Sequence, residues 1–166
     1  MKLAAHTPAQ TLEHPLDMLE HAVEENGWPF ERAGKDEINL TVGGRWCDYH
    51  FCFTWRDELQ SLHVSGNFDM RVKKERRHEI GELLLSINAQ LFLGHFDLWA
   101  DDGVVVYRHT LIFPDSVVSA AQCEALLHLA VEACDHYYPA FQFVLWGGKT
   151  AQEAMAAAVL ECAGQA

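Results

Sequence analysis

The chain has 166 residues, enough for one domain with its own hydrophobic core, and its 49% hydrophobic and 22% charged content excludes a disordered or low-complexity protein. Acidic residues outnumber basic ones 24 to 12, for a formal charge of −12. That balance repels phosphate backbones and anionic lipids, so neither nucleic-acid nor membrane binding is expected.

The opening segment MKLAAHTPAQTLEH has no continuous apolar stretch of the kind a secretory signal needs. Residues 1–14 read as a flexible N-terminus and 15–162 as a single domain. The segment PLDMLEHAVEENG places Leu16, Leu19 and Val23 at helical spacing and stops at Gly27. After the short stretch WPFERA come three strands with period-two alternation. In EINLTV, Ile38, Leu40 and Val42 oppose Glu37, Asn39 and Thr41. In CDYHFCFTW, the residues Cys47, Tyr49, Phe51, Phe53 and Trp55 oppose Asp48, His50, Cys52 and Thr54. In SLHVSGNFDM, Leu62, Val64, Gly66, Phe68 and Met70 oppose Ser61, His63, Ser65, Asn67 and Asp69. Such alternation marks an antiparallel sheet with one wet face.

Two-residue turns set the expected register. A Gly44-Arg45 loop pairs Val42 with Cys47, and an Asp57-Glu58 loop pairs Phe53 with Leu62 and Phe51 with Val64. The polar face then reads Glu37–Cys52–His63 in one row and Asn39–His50–Ser65 in the next. A helix follows over KKERRHEIGELLLSINAQLF, with Ile80, Leu83, Leu84, Ile87 and Leu91 on one side. GHFDLWADDGVVVYRHTLIF is a second hairpin turning at Asp102-Gly103. A two-residue turn there sets Asp97 opposite Arg108 as an ion pair; a three-residue turn sets His95 opposite His109. The next helix opens with a capping box at Ser119 and Gln122, and Pro139 is expected to kink or interrupt it. A last helix starts at a second capping box, Thr150 and Glu153. A meander plus a C-terminal hairpin, with helices gathered on one face of the sheet, is an α+β domain.

Three features bear on chemistry. The first is the polar row. Cys52 with His63 could form an activated nucleophile, and His50, Cys52 and His63 could hold zinc; the competing reading is a solvated sheet face. The second is the run Arg71, Lys73, Lys74, Arg76 and Arg77, which nets +4 against Glu75 and leaves −16 elsewhere. Basic residues in a first helical turn oppose the helix dipole, so the run is a candidate protein-binding patch. The third is an aromatic cluster around Pro139: Tyr137, Tyr138, Phe141, Phe143 and Trp146, either core or partner surface. No dinucleotide fingerprint, P-loop, HExxH or GxSxG occurs, so no cofactor is expected. The five cysteines are odd in number and lack a CxxC, which fits reduced thiols in the cytoplasm.

At SINAQLFLGHFDLWADDGVVVYRHTLIF the chain resembles the bacterial YbjN family, through Asn88, Gly94, Phe96, Asp102-Gly103, Tyr107 and Arg108. The segment DHYYPAFQFVLWGGKTAQEAM, with Tyr138-Pro139 and Gly147-Gly148, is similar to the family's C-terminal part. The resemblance implies a fold like that of type III secretion chaperones, often dimeric, and a regulatory role in sensory transduction with no defined chemistry. It carries over no catalytic residue. Asn88 is then expected to close a helix end, and Arg108 to pair with Asp97. Resemblance and residues together point to a non-enzymatic protein-binding or regulatory domain, a homodimer whose partner is a segment of another protein. The alternative is a small thiol- or metal-dependent enzyme on His50, Cys52 and His63.

Overall fold

The structure, a computed structural model, describes residues 14–113 and 118–163. The flexible end expected over residues 1–14 lies almost wholly outside these residues.

Helix α1 (Pro15–Glu25) starts where the His14 ring accepts the Leu16 N–H and Pro15 fixes the first turn; Gly27, at φ +68°, follows its end. Its Leu16, Leu19 and Val23 are fully buried. Six strands follow as one sheet: β1 (Phe30–Arg32), β2 (Glu37–Gly43), β3 (Asp48–Arg56), β4 (Ser61–Arg71), β5 (His95–Trp99) and β6 (Val104–Ile112). Their order is β1-β2-β3-β4-β6-β5, antiparallel throughout. β1 lies inside the stretch WPFERA and was not expected as a strand. The alternating residues behave as predicted: Ile38, Tyr49, Phe53, Leu62 and Val64 are fully buried on one face. Helices α2 (Arg77–Asn88), α3 (Ala120–Leu145) and α4 (Ala151–Ala163) complete the domain. α1 packs on β2, β3 and α3; α3 packs on β4 and β6; α2 packs on β5; α4 covers α2 and α3.

Both expected registers are corrected by two residues. Val42 faces Tyr49 rather than Cys47, and Phe53 faces Val64 rather than Leu62. The loops are four residues long, 44–47 and 57–60, not two. In the first, Gly44 N–H donates to Cys47 O at 2.9 Å, and a Cβ at Gly44 would lie 1.9 Å from the Tyr49 ring. In the second, Asp57–Leu59 forms a short 3-10 turn and Gln60 adopts a left-handed φ of 44°. An even shift leaves every side chain on its face but changes its neighbours. The β5–β6 hairpin also has a four-residue loop, so His95, not Asp97, faces Arg108, and neither expected turn length holds.

Pro139 does not break α3, which runs unbroken through 26 residues. Proline lacks the N–H that would bond the carbonyl of Asp135, and the Trp46 indole Nε1–H donates to that oxygen instead, at 2.8 Å. The Asp135 carboxylate accepts from Arg45 N–H (2.7 Å) and the Tyr49 hydroxyl (2.6 Å), so the β2–β3 loop is fastened to the middle of α3. Both predicted capping boxes form, Ser119 with Gln122 and Thr150 with Glu153.

Candidate functional site

The two-residue shift reorganises the polar face. Cys52 lies between Asn39 and Ser65, His50 between Thr41 and Asn67, and Thr54 between Glu37 and His63. The expected Cys52–His63 row is therefore not formed; His63 sits one row along. Its Nδ1 is 2.8 Å from Thr110 Oγ1, and the Cys52 sulfur is 3.8 Å from Thr54 Oγ1. Burial pushes the Cys52 thiol up, with the Thr54 contact working against it and Glu37 adding to it. Burial pushes His63 down, with the Arg108 guanidinium and His95 adding to the effect. A thiol held protonated beside an imidazole it does not face is the reverse of an activated pair. Among the described residues no group of three or more His, Cys, Asp or Glu is placed to hold a metal ion.

The face is not flat. It carries an open hollow of about 510 Å³, floored by Asn39, Thr41, His50, Cys52, Ser65 and Asn67. Pro29–Glu31 form one wall, and the Trp99 side chain, 45% exposed, forms another. Trp99 reaches this face because it stands in phase with His95 and Asp97 along β5. Sequence reasoning missed it as a site residue, although its place in that alternation was the available signal. Among the described residues the floor bonds to near neighbours: Thr41 Oγ1 to His50 Nδ1 at 3.1 Å, and Asn39 Nδ2 to Glu37 at 3.3 Å.

The basic run is divided between the surface and the packing of α2. Arg71 donates to the Asp102 carbonyl at 2.9 Å. Arg76 donates to the Val144 carbonyl and to Glu79. Arg76 and Arg77 are half-buried, while Arg71, Lys73 and Lys74 are exposed. The chain from Lys74 to Arg76 is a 3-10 turn, so α2 begins later than the sequence implied. In the aromatic cluster, Tyr137, Tyr138 and Phe141 are core, and Phe141 meets Phe68 and Phe96 at 5.5 and 5.4 Å. Trp146 is 64% exposed. A smaller apolar hollow of about 270 Å³ lies between Phe92 and α3.

The motif residues gather where α2, β5 and β6 meet. The Asn88 amide donates to Phe96 O (2.9 Å) and accepts from Phe96 N–H (2.8 Å), so it binds strand β5 instead of closing its own helix. Gly94, at φ +70°, lets the chain pass the Tyr107 hydroxyl, which a Cβ would approach to 2.2 Å. Gly103, at φ +66°, closes the β5–β6 turn against the Val72 carbonyl. Arg108 pairs with Asp97 at 3.6 Å, as expected, though diagonally.

These features define an α+β domain with helices on one sheet face and an open, hydrogen-bonding hollow on the other. A family model, YbjN, described as "Putative bacterial sensory transduction regulator", matches residues 15–143, and the chain belongs to that family. Among solved structures it is similar to "Crystal structure of YbjN, a putative transcription regulator from E. coli". That likeness has 17% identity and a TM-score of 0.52, and covers 72% of this chain and 85% of that one. A second structure, "Crystal Structure of the ExsC-ExsE Complex", matches with 12% identity and a TM-score of 0.49, covering 73% and 88%. No curated protein matches the chain in sequence. Among the described residues no helix is long and apolar enough to cross a membrane.

Proposed function

We propose that the protein is a non-enzymatic protein-binding domain with a regulatory, chaperone-like role, holding a segment of another protein and acting as a homodimer in the cytoplasm. The observation that carries this reading is the polar hollow. It offers amide, hydroxyl and imidazole groups for recognition, while its one thiol is held protonated by burial and faces Ser65. Membership of a family described as regulatory supports the same direction.

The test is gentle cross-linking of the tagged full chain in its native cytosol, followed by mass spectrometry. The expected result is one near-stoichiometric partner that survives washing and is retained by Cys52→Ala and His63→Ala. Recovery of the protein alone would overturn the reading. Sedimentation of the purified chain checks the dimer separately, and a monomer at all concentrations would remove that part.

A further inference from the structure

We propose that the polar hollow grips the main chain of an extended, positively charged segment, using the side-chain amides of Asn39 and Asn67 beside the Trp99 wall. This rests on the protein-binding reading above and gives that partner a place and a chemistry.

An asparagine amide presents one donor and one acceptor side by side, which matches the two polar groups of a peptide main chain. This molecule already uses that match. Asn88 takes both the N–H and the carbonyl of Phe96 on the outer edge of β5, at 2.8 and 2.9 Å. Asn39 gives one amide hydrogen to Glu37, which leaves it a second donor and its carbonyl oxygen. Asn67 stands two strands away and one row along, since Asn39 shares a row with Cys52 and Ser65 while Asn67 shares the next with His50. At about 4.8 Å per strand and about 3.4 Å per residue the two backbone positions are roughly 12 Å apart, close to the span of four residues of extended chain. Trp99 adds an apolar wall against which a side chain of that segment can rest.

Charge selects the segment. Glu31 and Glu37 stand at the β1–β2 margin, and Asp48 and Asp69 are exposed at the margin beyond His50. Against these carboxylates stand Arg71, beside Asp69 at the end of β4, and Arg56, Arg108 and His63 toward the far corner, where Arg108 is already paired with Asp97; the carboxylates remain in excess. With a formal charge of −12 over the whole chain, a basic segment is steered toward this face and an acidic one is repelled.

The test uses the full chain and three fluorescein-labelled octapeptides read by anisotropy: alternating Lys-Thr, alternating Glu-Thr, and Lys-Thr with every second amide N-methylated. The Lys-Thr peptide should saturate below about 1 mM, and the Glu-Thr peptide should bind at least about tenfold more weakly. N-methylation, the double change Asn39→Ala with Asn67→Ala, and Trp99→Ala should each weaken binding about tenfold. Circular dichroism checks that these surface variants remain folded. Absence of saturation, equal affinity for the Glu-Thr peptide, or affinity untouched by the variants would overturn the groove. The cross-linking experiment repeated with the Asn39→Ala, Asn67→Ala, Trp99→Ala triple variant separates the two ideas. A partner still recovered would sink the groove and leave the protein-binding reading standing; a partner lost would support the groove.

Discussion

The bond between Trp46 and Asp135 offers a sharp test of how this fold tolerates a proline inside its longest helix. The carbonyl of Asp135 has no helical donor because the residue four positions on is Pro139, and the Trp46 indole supplies one at 2.8 Å. Trp46→Phe keeps an aromatic ring near Tyr138, on which the indole stacks at 6.4 Å, but removes the N–H. A fully buried carbonyl left without a partner costs about 1–3 kcal/mol. Trp46 and Asp135 are both half-buried, so water recovers part of this and about 1–1.5 kcal/mol is expected. In a Pro139→Ala background the new backbone N–H bonds the same carbonyl, and the Trp46→Phe cost should fall by about 1 kcal/mol. Urea unfolding followed by far-ultraviolet circular dichroism on the wild type, both single variants and the double variant closes the cycle, provided the m-values agree. Single-variant effects that add to within about 0.3 kcal/mol would refute the account, because no coupling would then run through that carbonyl.

The Cys52 thiol, pushed up by burial, should alkylate with a pH midpoint above the ordinary value of about 8.5; a midpoint well below that would revive the thiol-enzyme reading. Asn88→Ala should cost about 1–2 kcal/mol and speed amide exchange at Phe96, whereas unchanged exchange there would mean the amide pair does not hold the strand. His109 is buried on the apolar side of β6, and burial lowers its affinity for protons. Its folded value lies below the unfolded value of about 6.5, so the unfolded chain binds more protons between the two. Stability is thus complete above about pH 6.5 and falls as the pH drops below it. His63, shifted the same way, adds to the trend. His109→Leu should flatten the loss between pH 7.5 and 5.5 measured by urea unfolding; an equally steep loss would exclude His109 as a source.

Period-two alternation made the sheet faces legible because a side chain's face depends only on parity, and Ile38, Tyr49, Phe51 and Val64 are all buried as read. Loop length was not legible, since two- and four-residue turns preserve the same parity. Gly44-Arg45 looked like a tight turn, but Asp135, ninety residues away in sequence, holds Arg45 in a wider one. The same blindness to distant partners made Pro139 look like a break, because nothing local to it announces the Trp46 donor. It also placed Cys52 against His63: a two-residue slip moves no residue off its face but gives Cys52 a different neighbour. The strand at Phe30–Arg32 escaped notice because three residues cannot display a period. Its Arg32 bonds Asp17 at 3.0 Å and Glu20 at 2.8 Å, contacts that only the folded chain brings together.

Hydrogen-bonding capacity is divided unequally across this molecule, and the division bears on which surface is available to a partner. On the helical side, polar groups hold distant elements together: Asp135 secures the β2–β3 loop, Asn88 secures β5, and Arg76 reaches the end of α3. The β5 edge is itself closed, since Asn88 occupies Phe96 and the Asp97 carboxylate accepts the Leu98 N–H at 2.8 Å. A strand added there would have to displace both side chains, and the opposite edge, β1, offers only three residues. On the polar face the bonds of the hollow and its surroundings run between neighbouring strands, such as Thr41 with His50 and His63 with Thr110. Those contacts fasten nothing that the β-ladders do not already hold. A face whose donors and acceptors the fold does not need, beside one edge that side chains occupy and another only three residues long, is the surface where a partner's main chain meets the least competition.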